Sequence, residues 1–115
     1  MIVKGEKRPW GSEDWIVKNK KVTVKILQIN ERKRFSLQYH KGREEFWEFL
    51  DNKAKVTVGN KKYIAHKGSR FFIRKGQLHR IEALDKPVKV LEVSFGKVDE
   101  KDIVRLEDDF NRVKK

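Results

Sequence analysis

Gln38, His40 and Glu45 stand close together in "SLQYHKGREEFWEF" (36–49), and His79 follows in "GQLHR" (76–80). An amide oxygen, a carboxylate and two imidazoles make a hard-to-borderline donor set. It suits Zn, Mn, Fe, Co or Ni rather than a copper thiolate site. Four protein donors leave room for water or a substrate oxygen on a five- or six-coordinate ion. Taken singly, a histidine in a strand is more often an ordinary partly buried side chain, and His66 in "IAHKG" is read that way. The joint pattern of Gln-x-His, a Glu five residues on and a distant Gly-x-x-His is what points to one shared cation. The chain has no cysteine, so disulfides and thiolate-bound zinc are excluded, and any metal must be held by nitrogen and oxygen donors.

Bringing these side chains together requires strands. Alternation with period two puts Gln38 and His40 on one face, with Ser36 and Arg34 continuing the row. "KGRE" (41–44) can turn the chain, after which Glu45, Trp47 and Phe49 share a face. If that face is interior, Glu45 returns beside His40, and His79 arrives after the "KG" turn at 75–76. Similar alternations recur in "VTVKILQI" (22–29), "FSLQY" (35–39), "AKVTV" (54–58) and "VKVLEVSF" (88–95). Turn-like pieces separate them: "DNK" (51–53), "GNKK" (59–62), "KGS" (67–69), "RKGQ" (74–77) and "LDKP" (84–87). Many short strands without a long helical pattern predict an all-β sandwich or barrel.

At 115 residues the chain makes one domain with a real apolar core. Its expected parts are an N-terminal arm and edge strand over 1–20, a β-barrel over 21–96 and a helical tail over 97–115. The tail is read from the helical spacing of Ile103, Leu106, Phe110 and Val113, with Asp99 and Asp102 at its start. In "KRPWGSEDWIV" Pro9 blocks helix, Gly11 permits a turn, and Trp10 and Trp15 call for burial. Such an arm would cover a sheet edge or pair with a neighbouring subunit. Asp102 and Arg105 are expected to form an ion pair beside the barrel mouth.

Lys and Arg number 29 against 17 Asp and Glu, a net charge of +12. A surplus of this size attracts anions, phosphorylated small molecules and nucleic acid among them. The basic residues are scattered and interleaved with acids, which favours a solvated surface over a nucleic-acid stripe. A charged fraction of 40% also suits a protein from a hot environment. No apolar run is long enough to span a bilayer, and "MIVKGEKRPW" lacks the apolar segment of a signal peptide. A cytoplasmic protein without membrane association is the expectation.

"RPWG" (8–11), "KRFSLQYH" (33–40), "REEFW" (43–47), "GQLHR" (76–80), "LEVSFG" (91–96) and "DIVRLEDDF" (102–110) together resemble the type II mannose-6-phosphate isomerase cupin. The similarity covers nearly the whole chain with every block in order. In that family the domain usually forms the C-terminal part of a bifunctional enzyme with a mannose-1-phosphate guanylyltransferase. The resemblance implies a single-domain cupin, a double-stranded β-helix or jelly-roll barrel, with one divalent metal bound by Gln38, His40, Glu45 and His79. Zinc heads the compatible ions, with Mn, Co, Ni and Fe open. It also implies a homodimer and a separate guanylyltransferase as partner. Departures from the family pattern are Lys41 and Gly42 in place of a His-rich piece, Asn52 for a glycine, Arg74 for a proline and Ser94 for a glutamine. Asn52 also tolerates left-handed backbone.

The implied reaction interconverts mannose 6-phosphate and fructose 6-phosphate, moving a proton between neighbouring carbons through an enediol-like intermediate. The phosphorylated hexose needs a base near the carbon acid and Arg or Lys for its phosphate. Glu92, sharing a strand face with Ser94, is the first candidate base; an exposed Glu on a half-solvated strand is the equal alternative. Arg80 and Lys33 are further candidate catalytic cations, although the alternation that points His79 inward points Arg80 away unless the strand is bulged. Arg34, Arg43 and Ser36 are candidate substrate contacts. A non-catalytic cupin binding a phosphorylated sugar or another anion, and nucleic-acid binding by net charge, are the rival functions.

Overall fold

Alternating apolar and polar residues build eleven β-strands and no helix among the residues that this computed structural model describes, 4–99 and 101–113. One sheet has the order β3 (Val22–Ile29), β10 (Val88–Gly96), β5 (Arg43–Phe49) and β8 (Arg70–Ile73). The other has the order β11 (Val104–Glu107), β4 (Leu37–Tyr39), β9 (His79–Ala83), β6 (Ala54–Val58) and β7 (Lys61–Ala65). Their pairings are antiparallel. The sheets pack face to face through one core rather than closing into a continuous hydrogen-bonded ring.

Register divides the space between the sheets into two ends. At one end Phe49, Val88 and Val90 of the first sheet join Ala54, Val56, Ile81 and Ala83 of the second in the apolar core. Burying each of the larger side chains stabilises the fold by about 1.5–3 kcal/mol. At the other end the same strands present polar groups inward. Glu45 lies opposite Ser94 across β5 and β10, and Gln38 opposite His79 across β4 and β9. Trp47, fully buried, stands between the two ends. Its ring meets His79 edge-on at 5.5 Å between centroids. The polar end is therefore not a solvated rim; it rests on the core.

The tail differs from the helical expectation. Val104 and Arg105 pair with Tyr39 and Gln38 as strand β11, and the register slips before Glu107. Without β11, the short strand β4 would be an unpaired sheet edge, and covering that edge outweighs the local helical spacing. Three apolar residues of that spacing are left outside: Leu106 is 49%, Phe110 55% and Val113 38% exposed. Asp102 and Arg105 form no ion pair. Instead Asp102 accepts hydrogen bonds from the Lys41 and Gly42 amides at 3.0 and 2.7 Å.

The arm is also not an edge strand of either main sheet. β1 (Lys4–Arg8) and β2 (Gly11–Trp15) pair with each other as a hairpin around Pro9 and Trp10. Gly11 takes φ +147° at the close of that turn, a value that L side chains rarely adopt. Glu13 accepts hydrogen bonds from Arg8 at 2.8 Å and from the Trp15 indole at 3.2 Å, fixing one hairpin face. A chain of contacts, Asp14–Arg70 at 3.0 Å and Arg70–Glu48 at 2.6 Å, ties the hairpin to the first sheet. Trp10 sits at the tip and is 71% exposed, against the expected burial. Asn52 is not in the left-handed region; its side-chain amide donates to the Pro87 carbonyl at 2.8 Å.

Candidate metal centre

His40 follows the end of β4, Glu45 lies in β5 and His79 opens β9. All three are buried, and one ligand atom from each lies within 4.8 Å of the others. The turn before β9 is joined to the first motif by a hydrogen bond from the Gly76 amide to the His40 carbonyl at 2.7 Å. Gly76 has φ +75°, which explains why a glycine ends "RKG".

Both imidazoles are oriented from behind. His40 Nδ1 lies 2.6 Å from the Asp102 carbonyl and His79 Nδ1 3.0 Å from the Gln77 carbonyl. A carbonyl can only accept, so each Nδ1 carries the proton and each Nε2 presents its lone pair to the centre. Burial lowers both pKa values, that of His79 to about 4, so the rings are neutral ligands at pH 7. His79 Nε2 is buried without a hydrogen-bond partner, as expected of a nitrogen kept for a metal.

His40 Nε2 lies 3.6 Å from Glu45 Oε2, and His79 Nε2 lies 3.8 Å from Glu45 Oε1. Ligand atoms each about 2.1 Å from one ion lie roughly 3.0–3.4 Å apart. The trio, whose ligand atoms all lie within 4.8 Å of one another, can close on one divalent ion once Arg43 gives up the His40 nitrogen. Gln38 lines the same cavity, and its amide oxygen accepts from the Ser36 hydroxyl at 2.7 Å, which aims the side chain and leaves one lone pair.

Arg43 lies at the heart of this cluster. Its guanidinium donates to Glu45 Oε2 and to His40 Nε2, both at 3.0 Å, and only 7% of the residue is exposed. The His40 lone pair it uses is the one a metal needs, so Arg43 and a cation compete for the same donors. Glu45 Oε1 accepts from the Trp47 indole at 3.1 Å.

A cavity of about 200 Å³ opens over the trio, lined by Lys25, Gln38, Arg43, Glu92 and Asp99 among others. Glu92 faces it from β10, in register with Trp47 and Lys25. Burial, then the neighbouring Glu45 charge, raises its pKa to about 7. Lys25 Nζ stands 3.7 Å from Glu92 Oε2, but that amine is one-third exposed, and its attraction does not offset burial. Glu92 Oε2 is buried with no hydrogen-bond partner. Of the two readings of Glu92, the inward-facing carboxylate is the one found.

The other candidate residues lie elsewhere. β9 keeps an unbroken register with β6, so Arg80 points away from His79. Its Nε donates to the Phe35 carbonyl at 2.9 Å and a terminal nitrogen to the Glu107 carbonyl at 3.2 Å. Arg80 therefore lies on the face away from His79 and clamps β11. Arg34 pairs with Asp109 through two hydrogen bonds of 2.8 and 3.0 Å on the outer face. Lys33 is exposed and takes part in turn hydrogen bonds through its backbone. Ser36 is fully buried and donates its hydroxyl to Gln38. His66 is exposed and outside the cluster.

Sequence reasoning missed Lys25 and gave Asp102 a different role, an ion pair with Arg105. Lys25 runs against its local signal, since alternation at the start of "VTVKILQI" groups Val22, Val24 and Ile26 as the apolar row, whereas the structure leaves Val24 and Ile26 more than half exposed and turns Lys25 to the cavity. Nothing local signalled the role found for Asp102, because its carbonyl meets the His40 imidazole and its carboxylate the Lys41 amide, some sixty residues away in sequence.

Comparison with known proteins agrees with this frame. A Vibrio cholerae protein assigned as a mannose-1-phosphate guanylyltransferase is 38% identical over 104 residues, 88% of this chain and 22% of the relative. The mannose-1-phosphate guanylyltransferase ManC of Salmonella typhimurium is 32% identical over 108 residues, 92% of this chain and 22% of that protein. The chain thus spans about a fifth of the length of the curated relatives it matches. A Klebsiella pneumoniae protein with a double-stranded β-helix domain superposes with TM-score 0.66 at 14% identity, covering 81% of each chain, which establishes the cupin fold. The family model described as mannose-6-phosphate isomerase C-terminal matches residues 3–108, and this protein is a member of that family.

Proposed function

We propose that this protein is a metal-dependent aldose–ketose isomerase that interconverts mannose 6-phosphate and fructose 6-phosphate. The observation that carries the reading is Glu92 Oε2, buried and without a hydrogen-bond partner among the described residues, in a carboxylate that lines the same cavity as His40 and His79. Membership of the family supports the substrate class. A divalent ion held by the trio and Gln38, zinc first among the candidates, would supply Lewis-acid polarisation of the sugar oxygens.

The chain's own groups do the rest. Ionised Glu92 takes the proton from C2 of the open-chain aldose, and the C–H electron pair becomes the C1–C2 double bond of an enediol as the carbonyl oxygen gains a proton. Glu92 then returns its proton to C1 while the C2 hydroxyl loses one, giving the ketose. With a pKa of about 7 the group can both accept and release a proton near neutrality. Lys25, 3.7 Å away, favours the ionised form. The curated relatives carry guanylyltransferase names, and a separate guanylyltransferase is the partner this reading proposes.

The test is a coupled assay on mannose 6-phosphate after chelation and after restoring Zn²⁺, Mn²⁺, Co²⁺ or Ni²⁺. Turnover that vanishes with chelator and returns with metal is the expected result. No turnover with any metal would leave a metal-binding cupin that holds a sugar phosphate without converting it.

A further inference from the structure

We propose that Arg105, together with Lys101, forms the subsite for the phosphoryl end of the substrate. The inference rests on the sugar-phosphate reading above and replaces the arginines that the sequence nominated for this task. Arg105 lies opposite Gln38 in the β11–β4 register, and Gln38 lies opposite His79 in the β4–β9 register. The row Arg105–Gln38–His79 therefore runs across the inner face from the sheet edge to the metal centre. With strands about 4.8 Å apart, the Arg105 backbone lies about 10 Å from that of His79. That is a reach suited to a ligand whose oxygens meet the centre at one end and whose anionic group lies at the other.

Arg105 has a buried Nε with no hydrogen-bond partner among the described residues. The neighbouring arginines are engaged: Arg43 with Glu45, Arg80 with Glu107, Arg34 with Asp109 and Arg112 with Asp108. A buried donor left without an acceptor is unfavourable, so Arg105 calls for an anion from outside the chain. A cavity of about 240 Å³ is lined by Lys101, Ile103, Val104, Arg105 and Arg112, with no carboxylate among its described lining residues. Ile103 also lines the metal-centre cavity, so one side chain borders both spaces. A guanidinium fork beside an ammonium group matches the geometry and charge of a phosphoryl dianion.

The experiment compares native protein with Arg105→Met, Arg105→Lys and Lys101→Met, all Mn²⁺-loaded, using inorganic phosphate as calorimetric probe and mannose 6-phosphate in steady-state kinetics. Arg105→Met should weaken phosphate binding and raise KM by about tenfold or more, with Mn²⁺ affinity and kcat little changed. Arg105→Lys should recover part of the loss, and Lys101→Met should show a smaller one. Equal phosphate affinity in native and Arg105→Met protein overturns the subsite. Should Arg105→Met not fold, phenylglyoxal modification of native Arg105, mapped by mass spectrometry, decides: slowing by phosphate supports the subsite and an unchanged rate overturns it. Phosphate binding that depends on Arg105 without turnover of any sugar phosphate sinks the isomerase reading and leaves the subsite standing. Turnover whose KM ignores Arg105→Met does the reverse.

Discussion

Glu92→Gln tests the central electrostatic claim about the site. The carboxyl is carried from its ordinary 4.5 to about 7, first by burial and then by Glu45. At about 1.4 kcal/mol per pH unit, ionising it in place costs about 3 kcal/mol more than in the unfolded chain. The folded state therefore binds the proton more tightly than the unfolded state does. Stability supported by the protonated form is full below pH 4.5, declines as pH rises from there to about 7 and is flat beyond. Glutamine keeps the shape and cannot ionise, so its advantage over the native residue should grow across that window to a plateau of order 3 kcal/mol. Urea unfolding of both metal-free proteins between pH 4.5 and 9 reads the difference directly. His40 and His79, with lowered pKa values, favour folding more as pH rises through that range, but they are present in both proteins and largely cancel. Parallel stability profiles would show that Glu92 ionises freely, and the case for a tuned base would fall with them.

Activity should follow the same group: kcat/KM in the metal-loaded enzyme should rise with pH as Glu92 ionises and be lost in Glu92→Gln. His79→Ala should weaken Zn²⁺ binding more than a hundredfold, beyond the usual cost of losing an outer-shell partner, while circular dichroism stays that of a β protein; full metal occupancy would refute the ligand set. Arg80→Met should lower stability by about 1–3 kcal/mol by leaving the Phe35 and Glu107 carbonyls short of a donor, with metal affinity unchanged by titration. A Cβ at Gly96 would stand 2.6 Å from the Gly42 carbonyl oxygen, where the backbone has φ +110°. Gly96→Ala should therefore cost about 1–3 kcal/mol or more in urea unfolding.

The strand-rich class, the shared face of Gln38 with His40, that of Glu45 with Trp47 and the His–Glu–His donors were legible in the sequence, because period-two alternation and donor chemistry are local properties; whether Glu92 faced inward was not. The sequence also foretold that Arg80 faces away from His79, since neighbours on an unbroken strand must. Which cations lie near the centre follows from how distant strands pack. No local pattern placed Lys25 or Arg105, since Lys25 holds a polar position of an alternating strand and Arg105 lies in a stretch with helical spacing, and their neighbours come from β10 and β4, distant in the chain. The tail shows the same limit. Its helical spacing from Ile103 to Val113 is real, yet the open edge of β4 supplies partners for the backbone of Val104 and Arg105 that no local pattern reveals. Tuning of Glu92 likewise arises from burial beside Glu45, and burial belongs to the folded assembly and not to any stretch of residues.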